Sequence, residues 1–505
     1  MAATRALWKP TIRCHADVDI RHAGPPYGPT VPHLTRKQFL HRGALTAGAA
    51  MFGGAAPAFA AADPLGGDLL HRDVRDLCAF GPRRTGTDAE HGASAWVAER
   101  LRAAGLEVRL DPYPFRQWRL TGWDVELVAG TASAEVAAFP RTVATHPIWN
   151  TRPAAGEADL VYVGSGTQKE LDRHDLRGKA VLVDGKVLLN VFATYNADGY
   201  VYWNAAARGA VAMFATSDAP GNLVRMIGMG RNELDANPIP AFTVGRRDFG
   251  MMRRAAHAGT ARIRYRLDAK HVDGVTHDVV ATLPGSRTDK DGIVACAHTD
   301  SMFDGALDDA TGIAGLIGLA HHFAARPRHR RPKPMTFLAV TGHDTGFPHL
   351  GVRHWVEANA AQVATLSGFC SLDHLAGVAA EDLGGERPVR RGGDEERLLL
   401  ISDNALLYGV TAQVAVKHRL FPSIPAPEPL ARANPDLEGM FVERGVPSVN
   451  MTMAYPWYHT PQDTPDKIPP GQLARSTRAY RDILEAMQRM PAGWLRRAET
   501  SPRKR

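Results

Sequence analysis

Between residues 88 and 104, apolar side chains recur at Ala93, Trp96, Val97, Leu101 and Ala104. That is the spacing of one helix face. Gly105 supplies a stop, and residues 106–110 then alternate like a strand. Far downstream, residues 293–297 (Ile-Val-Ala-Cys-Ala) form an unbroken apolar run. Such a run suits a strand buried on both faces of a parallel sheet. Residues 311–325 then read as a helix with Ile313, Leu316, Ile317, Ala320 and Phe323 on one side, and 335–341 as a second buried strand. Strand, helix, strand is a βαβ unit, so the pattern predicts an α/β fold with a mostly parallel central sheet flanked by helices.

Between 112 and 270 the texture changes. Short apolar pieces at 159–163, 180–183, 210–214 and 241–244 are separated by Gly, Pro and Asp turns. They predict a smaller β-rich domain inserted into the first. The expected division is a leader at 1–62, a discontinuous α/β domain at 67–111 and 271–492, the insert at 112–270 and a basic tail at 493–505.

Length changes this picture little. The 505 residues suffice for more than one domain, and 44% hydrophobic with 22% charged residues excludes a wholly disordered chain or a bundle of membrane helices. The formal charge of +7 is concentrated at the start. Residues 1–60 carry seven basic and two acidic side chains, which leaves the rest near +2. A near-neutral body gives no reason to expect nucleic acid as a partner. The run Arg328, His329, Arg330, Arg331 reads as a solvated loop after a helix. Of four cysteines, Cys14 lies in the leader, while Cys78, Cys296 and Cys370 have apolar surroundings. No C-x-x-C pair suggests a thiolate zinc site, and buried free thiols are the expectation, with one disulfide left open.

Residues 35–62 combine positive charge, a short Ala/Gly-rich apolar stretch and Ala58-Phe59-Ala60. These are the parts of a secretory signal, so the protein is expected to be exported, to the periplasm or the medium. The plainer alternative is an Ala-rich tail. Thr35-Arg36-Lys37-Gln38-Phe39-Leu40 is similar to a twin-arginine export motif, with Lys37 in place of the second arginine. The apolar run is short for a membrane span.

The candidate chemistry lies in four pieces. His298, at the end of a buried strand, is followed by Asp300, Asp308 and Asp309. His343-Asp344, Asp373-His374 and the segment from Tyr458 through His459 and Asp463 to Ile468 follow. In open α/β sheets, sites form beyond the carboxyl ends of strands, and His with Asp are ligand types suited to zinc. Asp300 is placed to fix the tautomer of His298. Asp308 and Asp309 also precede a helix, where a carboxylate caps free N–H groups; taken alone, that reading would win.

Together these pieces resemble the co-catalytic zinc exopeptidase family that includes bacterial leucyl aminopeptidases, glutamate carboxypeptidase and the transferrin receptor. The resemblance runs from about residue 70 to 490. It also draws on residues 80–87 (Phe-Gly-Pro-Arg-Arg-Thr-Gly-Thr) and 278–286, and the match from Tyr458 to Ile468 is among the most specific. Residues 176–183 with 208–210 resemble a protease-associated domain. The resemblance implies a zinc peptidase, most simply an aminopeptidase, with peptide or small aminoacyl substrates and two zinc ions per chain. His298 and Asp373 would hold one ion, Asp344 and His459 the other, and Asp308 would bridge them. A cis peptide between Asp308 and Asp309 is also implied.

Where the family carries paired glutamates, this chain has His343-Asp344. The first of the pair is the general base. His343 could serve as that base, become a ligand, or leave a site that binds metal and turns over slowly. Pro435, Asp436, Leu437 and Glu438 depart from a Ser-Asp-His pattern common in relatives. Two other functions therefore stand beside peptidase activity. One is a non-catalytic binding protein on the same fold. The other is aminoacyl chemistry of the glutaminyl cyclase kind, which uses a single zinc.

Overall fold

The computed structural model describes residues 63–496, apart from 130–139, 185–194, 197–198, 227–236, 288–290, 346–348, 386, 427–436 and 454. The expected leader, with Cys14, and most of the expected basic tail lie outside the described residues. Among those described, no helix is long and apolar enough to cross a membrane.

Helices α1 (Gly67–Cys78) and α2 (Asp88–Ala103) open the chain. Thr87 caps α2 by accepting from the Glu90 N–H, which satisfies one of the free donors of its first turn. The face of α2 predicted from sequence is buried at Ala93, Val97 and Leu101. The long strand β1 (Glu107–Ala129) begins where an alternating segment was expected but runs much further. It pairs antiparallel with another long strand, Arg262–Leu283, from Glu107 opposite Thr282 to Ala129 opposite Arg262. Both expected domain boundaries, after 111 and after 270, fall within this ribbon.

Strands β2 (Thr145–Pro147), β3 (Ala154–Tyr162), β4 (Ala180–Val183), β5 (Ala212–Thr216) and β6 (Ala241–Val244) follow β1. β3 to β6 run parallel to one another in sequence order. They build apolar clusters around Trp118, Phe214 and Phe242 and around Val181, Tyr202 and Met213. The long partner of β1 is β7 (Arg262–Leu283).

The rest of the sheet holds the site. β8 (Ile293–His298) and β9 (Met335–Val340) are buried at every position, as their unbroken apolar runs predict. β8 lies parallel to β9 on one side and to β10 (Gly368–Ser371) on the other. β11 (Arg397–Ile401), β12 (Ser423–Ala426) and β13 (Ser448–Met453) complete a sheet of order β12-β11-β13-β10-β8-β9-β7-β3-β4-β5-β6-β2. The α/β architecture with a mostly parallel central sheet is as predicted.

Helices α3 (Thr311–Ala324) and α4 (Pro470–Arg489) pack on this sheet in the largest core, with Ile313, Leu316, Ile317 and Phe323 from the one and Leu473, Tyr480, Ile483 and Leu484 from the other. Gly312 lets α3 approach the chain after β10. A Cβ there would meet the Leu372 carbonyl oxygen at 1.9 Å.

Cys78, Cys296 and Cys370 are buried free thiols. Burial pushes the Cys78 thiol up to about 12. The Arg-rich run forms a short 3-10 turn, Arg328–Arg330, after α3. Arg331 is not solvated as expected: it is buried and donates to the carbonyls of Arg326 and Pro284.

Candidate metal centre

His298 closes β8, and Asp373 follows two residues after β10. His343 and Asp344 follow β9. Adjacent parallel strands end at the same edge of the sheet, so these side chains meet there. The segment carrying Asp308 is a tight turn (Ala306–Ala310) with a cis peptide between Asp308 and Asp309. His459 enters from the loop after β13 with a left-handed backbone, φ 54°.

Three ligand-type groups result: His298, Asp308 and Asp373; Asp308, Asp344 and His459; and His298, His343 and Asp344. The five residues expected as ligands are thus brought together, with Asp308 common to two groups. His298 Nε2 lies 3.0 Å from Asp308 Oδ1 and 3.6 Å from Asp373 Oδ1. His459 Nε2 lies 2.7 Å from Asp308 Oδ2 and 3.5 Å from Asp344 Oδ1. Ligands about 2.0–2.1 Å from a tetrahedral ion stand roughly 3.3 Å apart, which is the scale of these contacts.

The imidazoles are held in the tautomer a metal requires. Nδ1 of His298 lies 3.0 Å from the Asp300 carbonyl, and Nδ1 of His459 lies 3.2 Å from the Met226 carbonyl. A carbonyl only accepts, so each Nδ1 carries the proton and each Nε2 offers a lone pair. Nε2 of His298 and of His459, and Oδ2 of Asp344, are buried without a hydrogen-bond partner. The donor set therefore fits zinc.

Electrostatics point the same way. Burial opposes the charged form of His298, yet Asp300, Asp308, Asp373 and Asp344 lift it well above 6.5. Burial likewise opposes charge on His459, and Asp344 with Asp308 raises it to about 9. Asp308 is held well below the ordinary carboxylate range despite its burial, first by the charges of His374 and His459. The pocket demands positive charge, and a divalent cation supplies it in place of protons.

Asp300 orients His298 as expected, but through its backbone carbonyl and not its carboxylate. Its carboxylate stands 3.7 Å from His298 Nδ1, beyond hydrogen-bond reach, and its own carbonyl is that nitrogen's partner. The carboxylate instead accepts from the backbone N–H of His343, Asp344 and Thr345 at 3.0–3.1 Å and from the hydroxyls of Thr85 and Thr345 at 3.1 Å. It fixes the loop that presents Asp344. Asp309 is the helix cap: Oδ1 accepts from Gly312 N–H and Oδ2 from His298 N–H. Asp308 faces the imidazoles.

His343 lies between two rings, 4.3 Å from His298 and 4.5 Å from His349 between centroids. Its Nδ1 is 2.8 Å from Nδ1 of His349, one donating to the other. Of the departing segment, Pro435 and Asp436 lie outside the described residues. Glu438 is buried and accepts from Asn450, and Phe441 stacks on Phe369 in the core.

Other contributors carry no role in the sequence reading. His374 has Nε2 3.3 Å from both Asp308 and Asp373, and its Nδ1 is 2.6 Å from the Met453 carbonyl. It is a third imidazole in the ligand tautomer, adjacent in sequence to a predicted ligand. Asp463 braces the Asp308 turn by accepting from the N–H groups of Leu307 and Asp308. Arg83, fully buried, donates to the carbonyls of Thr299, Asp304 and Gly305 and so braces the loop after His298.

The fold and this cluster define a zinc-peptidase-like α/β body. Residues 278–484 match the profile of Peptidase family M28, in line with the resemblance read from the sequence. The zinc aminopeptidase BSAP from Bacillus subtilis superimposes with a TM-score of 0.63 at 18% identity, over 86% of this chain and 98% of its own. A Peptidase M28 precursor from Shewanella amazonensis gives 0.67 at 19% identity, over 83% and 93%. The aminopeptidase from Aneurinibacillus sp. strain AM-1 gives 0.59 at 19%, over 83% and 92%. At these identities the likeness is one of fold. No match was found among curated proteins.

Proposed function

We propose that this chain is an exported zinc aminopeptidase with a two-metal centre. His298 and Asp373 would hold one ion and Asp344 and His459 the other, with Asp308 common to both groups. The observation that carries the reading is the set of buried Nε2 atoms facing shared carboxylates without a hydrogen-bond partner, on rings each fixed by an Nδ1–carbonyl bond. His374 is in position to add a nitrogen to the first site.

Zinc held by these residues would supply Lewis-acid polarisation of a scissile carbonyl and an acidified water. The chain's own residues do the rest. Asp300 and Thr85 hold the His343–Asp344 loop, and Asp309 and Asp463 hold the Asp308 turn. His343 is the proposed general base, an imidazole being a common proton acceptor in catalysis. His349 keeps its ring in place. Aminopeptidase action is favoured over other exopeptidase modes by the names of the similar structures. On this reading the segment 112–270 corresponds to a protease-associated-like insert, and residues 35–62 to the export signal.

The test is zinc analysis of the full chain together with a chromogenic aminoacyl substrate. About two zinc ions per chain and chelator-sensitive release of an amino acid are expected. Metal bound without turnover would refute the peptidase activity and leave a metal-binding protein.

A further inference from the structure

We infer that residues 217–226, which lie outside the M28 segment, are a working part of the metal centre, with Arg225 as the positioning residue that locks them onto His459. The inference rests on the two-metal reading above. Met226 and His459 are joined reciprocally: the Met226 N–H donates to the His459 carbonyl at 2.9 Å, and His459 Nδ1 donates to the Met226 carbonyl at 3.2 Å. Arg225 is buried and clamps the same loop. It donates to the carbonyl of Tyr458 and, at 3.4 Å, to that of Pro456, and its Nε lies 2.5 Å from Asp218. Its guanidinium sits 5.5 Å above the Tyr458 ring, which stacks on the His459 imidazole at 3.7 Å and 26°. Ser217 Oγ closes the loop by accepting from the N–H groups of Ala219 and Arg225.

His459 therefore has its carbonyl and Nδ1 held by Met226, more than 200 positions earlier, and its ring face covered by Tyr458, over which the Arg225 guanidinium sits. Its left-handed backbone, φ 54°, is a conformation that persists only where the surroundings over-determine it. The first site is built otherwise. His298 Nδ1 and His374 Nδ1 are fixed by the carbonyls of Asp300 and Met453, both within residues 278–484. Among the described residues, the imidazole of the Asp344–His459 site is oriented from residues 217–226, and those of the first site are oriented from within residues 278–484.

The experiment is zinc titration of metal-stripped full chain against a competing chelator dye, for wild type, Arg225→Ala and Asp218→Asn. Orienting partners of metal ligands are worth about 10- to 100-fold in affinity. Arg225→Ala is expected to weaken one site by that factor and leave the other within about twofold, with Asp218→Asn weakening the same site less. If Arg225→Ala fails to fold, Asp218→Asn, which removes only the charge facing Nε, carries the same test. Two unchanged sites, or two equally weakened sites, would overturn the inference and leave the two-metal reading standing. A wild-type chain that binds no zinc refutes that reading, and this inference with it.

Discussion

Replacing Asp300 by Ala removes one carboxylate that holds three backbone N–H groups and two hydroxyls in a fully buried place. The hydroxyls of Thr85 and Thr345 already lie 2.8 Å apart and can pair with each other. The N–H groups of His343, Asp344 and Thr345 have no such substitute. A buried donor left unsatisfied costs about 1–3 kcal/mol, so a rigid loop would lose roughly 3–9 kcal/mol. Domains are stable by only about 5–15 kcal/mol, so the loop should open before the full penalty is felt, and about 3–5 kcal/mol is expected. Asp300→Asn keeps one acceptor oxygen. Placed at the Oδ2 position, it retains four of the five contacts, and about 1–2 kcal/mol should be lost. The assay is urea unfolding with chelator present throughout, so that metal linkage does not contribute, with m-values compared between variants. A loss below about 1 kcal/mol for Asp300→Ala, or a larger loss for Asn than for Ala, would refute the reasoning.

Three further outcomes follow from the same geometry. His343→Ala should lower kcat about 100- to 10,000-fold at unchanged zinc content, and His343→Glu should recover part of that loss; an unchanged kcat for His343→Ala removes His343 from the chemistry. Gly312→Ala places a Cβ 1.9 Å from the Leu372 carbonyl oxygen and 2.3 Å from the Asp309 carboxylate. It should destabilise by at least about 1–3 kcal/mol in thermal unfolding and reduce zinc retention, whereas a neutral result would show that α3 shifts freely. Burial opposes charge on Asp482, but hydrogen bonds from Lys417, His418 and Arg481 hold it at about 2, below the ordinary 3.8. Its stabilising contribution is present above the unfolded value and is lost as pH falls through the folded one. Wild type and Asp482→Asn should therefore differ at neutral pH and converge between about pH 4 and 2; a difference independent of pH would contradict this.

Much of the site was readable in one dimension because its ligands sit at the ends of strands with strong local patterns. The apolar runs before His298 and His343 mark strands buried on both faces, and the carboxyl ends of parallel neighbours meet at one edge. Asp373 and His459 were reached through the family likeness rather than through periodicity. The same local logic picked out His374 beside Asp373 but gave it no role; its Nε2 lies 3.3 Å from Asp308. It linked Asp300 to His298, which holds through the Asp300 backbone carbonyl, but could not show that the carboxylate's partners are backbone N–H groups on a loop after a different strand.

By itself, then, the order of residues determined which segments become buried strands and helices, and hence the α/β sheet with His and Asp at its rim. Burial pattern is a local property, set by each side chain's preference for water or core. Tertiary structure alone decided which carbonyl faces which imidazole. The Met226 carbonyl at His459, the Asp300 carboxylate beneath the His343–Asp344 loop and the Arg83 brace on the Asp304 carbonyl all join residues far apart in the chain. Backbone N–H and C=O groups are common to nearly every residue, so their pairing leaves no trace in side-chain identity and is settled only by packing.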